Sequence, residues 1–293
     1  MIITVFPGQG AQTPGFLEPW LAVPGVRERL ERYSADSGVD LIAAGTEWDA
    51  DQIRDTQVAQ PLIVAASLVS YAALTDAAGA EPGGVAGHSV GEIAALVAAG
   101  VLSDDDGMRL VGLRGRAMAE AAAAAQTGMS AIIGGDRDAV LTRLGELDLT
   151  PANHNGAGQI VAAGTLDALA ALAESPVAGT RVIPLQVAGA FHTRFMAPAV
   201  DSLRAAAAGV EASDPALTLW SNSDGEPVAS GRRALDLLVA QVASPVRWDL
   251  SMESFAAHEV TGIIELAPAG TLVGLAKRAL RGVPTVAVKT PDD

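Results

Sequence analysis

The chain has 293 residues and a formal net charge of −15, from 34 acidic and 19 basic residues. This length predicts one large domain or a large domain that carries a smaller one. The negative charge argues against nucleic-acid binding by phosphate neutralisation, and an acidic partner would need a local basic patch. Because the chain has no cysteine, disulfides, thiolate metal sites and a cysteine nucleophile are excluded. Covalent chemistry would then fall to serine, threonine, lysine or a carboxylate.

Hydrophobic residues make up 49% of the chain, without a long apolar run free of glycine, proline or charge. Such a chain can bury a full core and is not expected to span a membrane. Its first residues lack the basic and apolar regions of a signal peptide, so we expect a cytoplasmic location. The four histidines include no nearby pair, and we therefore expect no metal site.

Short apolar runs alternate with helical patterns up to residue 126, which predicts an α/β domain with a largely parallel sheet. The predicted elements there are a strand at Ile2–Phe6, a helix at Gln57–Ala78, a strand at Val85–Gly87 and helices at Gly91–Ala99 and Ser103–Ala125. Ser103 is the expected N-cap of the last helix, and three aspartates follow it in the first turn.

The pattern of elements changes after residue 126. The next predicted elements are a strand at Met129–Ile133, a helix at Asp136–Gly145, strands at Asp148–His154 and Gln159–Ala163, a helix at Thr165–Glu174 and a strand at Thr180–Gln186. This β-α-β-β-α-β order is typical of a ferredoxin-like unit. We therefore predict a small inserted subdomain at 127–189, within a catalytic domain formed by 1–126 and 190–293.

The large domain is expected to continue with further helices and one more strand. These are helices at Phe195–Ala208, Gly231–Val242 and Asp249–Ala257, a strand at Gly262–Leu266 and a helix at Thr271–Leu280.

The segment Gly87-His88-Ser89-Val90-Gly91 has the form G-x-S-x-G and lies between a predicted strand and a predicted helix. This context is typical of a nucleophile elbow, in which glycines permit a tight turn and the helix N-terminus offers N–H groups to an oxyanion. A serine that only caps the helix is the structural alternative.

A serine nucleophile needs a base, and four histidines are candidates. His88 adjoins Ser89, so its side chain should leave the turn in another direction. His154 lies in the insert, and His258 near a helix end, where capping or solvent exposure is expected. His192 follows the insert where the chain re-enters the large domain, and we favour it as the base. Its alternative is a core histidine satisfied by the backbone.

Two further positions could contact a ligand. The loop Gly8-Gln9-Gly10 follows the first strand, where backbone N–H groups could complete an oxyanion hole or simply form a turn. Arg114 shares a helix face with Leu110 and Met118. An arginine in this setting either extends to solvent or binds an anion with its guanidinium.

Several motifs in order along nearly the whole chain resemble the malonyl-CoA:acyl carrier protein transacylases and the related acyltransferase domains of polyketide synthases. The motifs are Phe6–Gln12, Thr56–Pro61, Gly87–Glu92, Arg114–Met118, Gly189–Thr193 and Gln241–Trp248. The resemblance implies an α/β-hydrolase-like large domain with a parallel sheet and an inserted ferredoxin-like subdomain.

The resemblance also implies roles for individual residues. Ser89 would be the nucleophile and His192 the general base of a Ser-His dyad, with His192 oriented by the main-chain carbonyl of Gln241. Gln9 and Val90 would give backbone N–H groups to the oxyanion hole. Arg114 would hold the malonyl carboxylate. Phe191 stands where malonyl-selective acyltransferase domains carry phenylalanine and methylmalonyl-selective ones a small residue.

The implied activity is transfer of malonyl from malonyl-CoA, through malonyl-Ser89, to the phosphopantetheine thiol of acyl carrier protein. Fatty-acid and polyketide synthesis both remain open as the pathway. A monomer without a bound cofactor, a membrane or a nucleic acid is expected. The alternatives are a serine hydrolase (thioesterase or esterase) with the same elbow and a non-catalytic carrier-docking domain.

An acidic carrier would dock on basic side chains. The candidates are Lys277, Arg278 and Arg281, with Arg181 and Arg194 beside the cleft.

Overall fold

The computed structural model describes residues 1–293, which form a parallel sheet, an antiparallel sheet and the helices that cover them. The first part contains β1 (Ile2–Phe6), α1 (Val26–Ser37), α2 (Leu41–Thr46), α3 (Thr56–Ala78), β2 (Gly84–Gly87), α4 (Gly91–Ala98) and α5 (Asp104–Ala123). The middle part contains β3 (Thr127–Gly134), α6 (Arg137–Glu146), β4 (Thr150–Gly156), β5 (Gln159–Thr165), α7 (Leu166–Glu174) and β6 (Thr180–Pro184). The last part contains α8 (Ala197–Ala208), β7 (Thr218–Trp220), α9 (Gly231–Gln241), α10 (Trp248–Ala257), β8 (Gly262–Glu265), α11 (Thr271–Ala279) and β9 (Thr285–Ala287). Short 3₁₀ helices lie at Glu18–Ala22, Gln52–Arg54 and Arg194–Met196.

The parallel sheet has the strand order β7-β2-β1-β8-β9, and all four neighbouring pairs are parallel. Its central strand β1 is buried from Ile3 onward and apolar except for Thr4, as expected for a strand covered on both faces. The register pairs Phe6 with Gly87. The loops that follow β1 and β2 therefore leave the same edge of the sheet side by side, where parallel sheets place their ligand sites.

The second sheet has the order β4-β5-β3-β6 and is antiparallel throughout. Apolar residues of α6 and α7 form a separate small core with it, which includes Val140, Leu144 and Leu172. Backbone hydrogen bonds attach β4 to the chain before α10, from the His154 N–H to the Val246 carbonyl and from the Val246 N–H to the Ala152 carbonyl, both 2.9 Å. The second sheet is thus fastened beside the first.

Helix α3 is long and apolar enough to cross a membrane by length and composition alone. It contacts α4 and α5, and 72% of its most apolar 18-residue window is buried inside the protein. Packing within the core therefore accounts for its apolar sequence. The Asp55 side chain caps its first turn by accepting from the Gln57 N–H.

The predicted mixed α/β fold with a parallel sheet is confirmed, and Ser103 caps α5 by accepting a hydrogen bond from the Asp106 N–H at 3.1 Å. The structure also contains four elements that were not predicted from the sequence: α1, α2, β7 and β9. Strands β7 and β9 have three residues each and depend on pairing with β2 and β8. The predicted strand at 180–186 is too long, because β6 ends at Pro184.

Candidate active site

The turn between β2 and α4 is packed so tightly that two of its residues have no room for a side chain. A Cβ on Gly87 would lie 2.0 Å from the Gly91 carbonyl carbon, and a Cβ on Gly91 would lie 2.3 Å from the Phe6 carbonyl oxygen. Between them, Ser89 has a φ of 53°, a left-handed conformation that is uncommon outside glycine. The turn therefore has the strained geometry of a nucleophile elbow.

His192 contacts the Ser89 hydroxyl. Ser89 Oγ lies 2.7 Å from His192 Nε2, and His192 Nδ1 donates to the Gln241 main-chain carbonyl at 2.8 Å. Because a carbonyl can only accept, Nδ1 carries the proton and Nε2 is left free to accept the serine proton. Burial and the neighbouring Arg114 charge lower the pKa of His192 to about 3. The imidazole is therefore neutral at physiological pH.

The other three histidines make different contacts, and none of them hydrogen-bonds to Ser89. His88 turns away from the elbow, as expected, and its Nε2 lies 2.9 Å from Asn155 Oδ1. His258 Nδ1 lies 2.8 Å from the Ser254 carbonyl at the end of α10, as a capping residue would. His154 lies on β4, and its buried Nδ1 has no hydrogen-bond partner.

Arg114 is only 1% exposed, which excludes the alternative that its side chain extends to solvent. Its Nη1 donates to Gln60 Oε1 at 2.6 Å, and its Nη2 donates to Gln241 Oε1 at 2.9 Å and to Ser89 Oγ at 3.5 Å. Burial lowers the pKa of Arg114 to about 10, which leaves it a cation at neutral pH. Its buried Nε has no partner within the protein. A fixed cation with an unused donor beside a serine suits an anionic substrate group.

A hydrogen-bond network lies beneath the elbow. Asn222 Oδ1 accepts from the Ser89 N–H, and Asn222 Nδ2 donates to the Gly87 carbonyl, both at 2.7 Å. Gln241 Nε2 donates to Glu92 Oε2 at 2.6 Å, and Glu92 Oε1 accepts from the Asn222 N–H at 2.5 Å. Burial raises the pKa of Glu92 to about 7. The network holds the backbone on both sides of the serine.

Four side chains of this site had no role predicted from the sequence: those of Asn222, Glu92, Gln60 and Gln241. Glu92 and Gln60 did stand inside the motifs, as polar residues in otherwise apolar helices. That signal could have identified them, because a buried polar side chain needs a partner. Asn222 lies in a loop without any comparable pattern.

The loop after β1 packs against the elbow, since a Cβ on Gly8 would lie 3.0 Å from both Nδ1 and the carbonyl oxygen of His88. The hydrogen bonds within the protein use neither the Gln9 nor the Val90 backbone N–H. The Gln9 side chain donates instead to the Arg54 carbonyl at 3.2 Å. The oxyanion-hole role of these two residues stays a prediction.

Phe191 is buried in the main hydrophobic core immediately before His192, and its part in substrate choice stays a prediction. Lys277, Arg278 and Arg281 are exposed near the end of α11, as is Arg181 on β6. Arg194 forms an ion pair with Asp148 at 2.5 Å. This pairing reduces the charge that Arg194 could offer a partner, and the docking surface is likewise still a prediction.

The comparisons with known proteins agree along the whole chain. A family model described as an acyl transferase domain matches residues 3–290. A Mycobacterium tuberculosis protein named malonyl CoA-acyl carrier protein transacylase is 54% identical, with 100% of this chain and 98% of that protein covered. The Escherichia coli K12 protein of the same name is 35% identical, with 98% and 95% covered.

Solved structures are similar as well. A crystal structure of MCAT from Mycobacterium tuberculosis aligns with a TM-score of 0.96 at 54% identity, covering 100% of this chain and 98% of that one. A malonyl-transacylase solved in complex with a type II polyketide synthase acyl-carrier protein aligns with a TM-score of 0.92 at 32% identity, covering 99% and 96%. This chain therefore belongs to the acyl transferase domain family.

Proposed function

We propose that the protein transfers malonyl from malonyl-CoA to the phosphopantetheine thiol of acyl carrier protein. The observation that carries the proposal is that His192 and Arg114 both contact the hydroxyl oxygen of Ser89. Ser89 Oγ lies 2.7 Å from His192 Nε2 and 3.5 Å from Arg114 Nη2. The site thus combines a hydroxyl, a neutral base and a buried cation. The names of the relatives at 54% and 35% identity support the same activity.

In the first half-reaction, His192 Nε2 takes the Ser89 proton as Oγ attacks the thioester carbonyl of malonyl-CoA. The Gln241 carbonyl stabilises the imidazolium through Nδ1–H, which replaces the carboxylate of a triad. The backbone N–H groups of Gln9 and Val90 hold the oxyanion. The C–S bond then breaks, and the CoA thiolate leaves with the proton from His192.

In the second half-reaction, the phosphopantetheine thiol gives its proton to His192 and attacks the malonyl-Ser89 ester. The C–O bond to Ser89 breaks, and Oγ recovers the proton from Nε2. The same base therefore serves both steps, and no bound cofactor takes part.

Arg114 and Phe191 choose the acyl group. A guanidinium forms two charge-assisted hydrogen bonds with a free carboxylate, which malonyl has and acetyl lacks. The Phe191 ring would crowd a methyl group on the α-carbon, so we expect malonyl-CoA to be preferred over methylmalonyl-CoA.

We also propose the finer architecture that the family resemblance implied: an α/β-hydrolase-like domain from 1–126 and 190–293 with a ferredoxin-like insert at 127–189. The β-α-β-β-α-β order and the strand order β4-β5-β3-β6 support the insert. The enzyme would act as a cytoplasmic monomer, with the acidic carrier docking on Lys277, Arg278 and Arg281.

Intact-mass measurement after mixing with malonyl-CoA tests the function. We expect a malonyl adduct on the wild type that disappears when holo acyl carrier protein is added, and no adduct on Ser89→Ala. Release of free malonate without a carrier would identify a hydrolase instead. Absence of any reaction would favour the docking domain, and an adduct that persists on Ser89→Ala would remove Ser89 from the mechanism.

A further inference from the structure

We propose that Glu92 is a positioning residue for Arg114, acting through the side-chain amide of Gln241, and that it thereby sets the preference for acyl groups that carry a carboxylate. The inference rests on the proposed function and deepens it. The Glu92 side chain makes no hydrogen bond to Ser89 or Arg114. Besides the direct attraction between its charge and that of Arg114, its effect passes through the residue between them. That residue is Gln241, whose two amide atoms contact Arg114 and Glu92.

The Gln241 amide has two different ends, and each faces the correct partner. Its Oε1 accepts from Arg114 Nη2 at 2.9 Å, and its Nε2 donates to Glu92 Oε2 at 2.6 Å. A reversed amide would place N–H groups against the guanidinium, which only donates, and oxygen against a carboxylate, which only accepts. Gln241 Nε2 also donates to the Ser89 carbonyl at 3.2 Å and to Asn222 Oδ1 at 3.1 Å. Glu92, at 2.6 Å, is therefore the nearest of three acceptors that fix which end of Gln241 meets Arg114.

Glu92 is itself held in place. It is 3% exposed, and it lies in the first turn of α4, where the helix dipole favours a negative charge. Its second oxygen accepts from the Asn222 N–H. The hydrogen bonds to both carboxylate oxygens favour the ionised form, whereas burial opposes it and raises the pKa of Glu92 to about 7.

As a consequence, the Arg114 guanidinium is held by hydrogen bonds at both of its terminal nitrogens. Gln60 binds Nη1, Gln241 binds Nη2, and the remaining donors include the unpartnered Nε. Losing the Gln241 acceptor would leave Nη2 without that partner, and the guanidinium would no longer be held in the orientation that binds a carboxylate. The reaction of a substrate without a carboxylate should change little, because such a substrate does not bind to the guanidinium.

Glu92→Gln is the most direct test. The new amide must offer its oxygen to the Asn222 N–H, so its NH₂ group opposes that of Gln241. This repulsion works against the orientation that the Ser89 carbonyl and Asn222 Oδ1 still favour, and it displaces the Gln241 amide from Arg114. We expect the ratio of labelling efficiencies for malonyl-CoA over acetyl-CoA to fall about tenfold, mainly through a higher KM for malonyl-CoA.

Glu265→Gln is the matched control. Glu265 is another fully buried glutamate, and it accepts from the backbone N–H groups of Gly270, Leu272 and Val273 at the start of α11. Its replacement should lower the unfolding temperature and leave the substrate ratio unchanged. An equal loss of both substrates in the Glu92 and Glu265 variants would show a merely structural role and overturn the proposal.

Gln241→Met provides a second route, because it removes the amide and keeps the main-chain carbonyl that orients His192. It should lower the ratio to the same extent, and adding Glu92→Gln should lower it no further, since both changes break one pathway. If Glu92→Gln does not fold, the Met variant decides alone, and an unchanged ratio overturns the positioning role. Normal malonyl labelling with additive effects leaves the proposed function standing and removes only this inference, whereas failure of wild-type labelling removes both.

Discussion

Two buried polar regions of this protein differ in how completely their hydrogen bonds are satisfied. Beneath Ser89, both carboxylate oxygens of Glu92 and all the side-chain amide atoms of Asn222 and Gln241 have partners. In the cavity between β4, α6 and α10, of about 200 Å³, His154 is 9% exposed and its Nδ1 has no partner. The only ion pairs there join Asp249 to Arg247 and to the half-exposed Arg137.

The difference shows that buried polar groups in one chain can have different effects, on catalysis in one region and on stability in another. In a satisfied network, each group dictates the orientation of the next, and removing one leaves others unpaired at a cost of about 1–3 kcal/mol each. The unpartnered Nδ1 of His154 orients no neighbouring side chain, and its burial costs free energy. We therefore expect changes near Ser89 to alter catalysis, and changes near His154 to alter stability alone.

The largest contrast is expected between two histidines. His192→Ala should slow malonyl labelling of Ser89 by a factor of about 10³ or more, because the serine loses its base. His154→Ala should leave that rate within about twofold, because its ring does not contact the reacting atoms. The labelling rates of both variants can be measured by quenching the reaction at different times and determining the intact mass of the protein. A larger loss in the His154 variant would reverse our choice of base.

Asn222→Ala should come next in size. It leaves the Ser89 N–H and the Gly87 carbonyl unpaired around a strained residue, so we expect about 1–3 kcal/mol less stability and a labelling rate lower by about tenfold or more. Urea unfolding and labelling rates give the two values. A variant with unchanged rate would show that the elbow holds Ser89 without the network.

The pH dependence of stability should report the burial of His192. Its pKa is about 3 in the folded protein, against an ordinary value of 6.5. Between these pH values the His192 imidazole is protonated in the unfolded chain and neutral in the folded protein. The free energy of unfolding therefore falls as the pH falls below 6.5. Relative to His192→Gln, the wild type should lose about 2 kcal/mol between pH 7 and pH 5.

Urea unfolding of both proteins at the two pH values measures this difference. The raised pKa of Glu92 acts with the opposite sign between pH 4.5 and 7, but it is present in both proteins and cancels. A difference that does not change with pH would mean that His192 takes up a proton in the folded state.

The smallest expected effect lies in the cavity. His154→Leu replaces an imidazole that has an unpartnered nitrogen with an apolar side chain, so stability should be unchanged or higher by up to about 1 kcal/mol. His88→Leu is the matched comparison, because it breaks the 2.9 Å contact with Asn155 and should destabilise the protein. Equal destabilisation by both changes would show that His154 has a partner, such as a bound water.

Local patterns in the sequence predicted the elements that are long or strongly apolar. Strand β1 was predicted with its observed bounds, and α3, α4 and α5 within two residues at either end. Helix α1 was missed although Val26, Leu30 and Tyr33 lie on one buried face, because most of its other residues are polar. The short strands β7 and β9 could not be found locally, since pairing with distant strands creates them.

The candidate site divides in the same way. Ser89 was found from its turn motif, His192 from its place in the chain, and the Gln241 carbonyl from the family resemblance, and the structure brings all three together. Asn222 was not found because its contact with Ser89 spans 133 positions. The exposed alternative for Arg114 failed because its partners Gln60 and Gln241 come from two other helices, which local spacing does not reveal.

The tight packing at Gly87 and Gly91 restricts how this chain can evolve. The signature G-x-S-x-G looks like two independent requirements for a flexible residue, but each glycine here is enforced by a different piece of backbone: Gly87 by Gly91 itself, and Gly91 by the end of β1. A larger residue at either position cannot be accommodated by trimming a neighbouring side chain, because no side chain is in the way. Substitutions of these two glycines therefore cannot be compensated by changes in neighbouring side chains. Evolution of specificity for new acyl groups has to occur through the residues that line the pocket around the elbow.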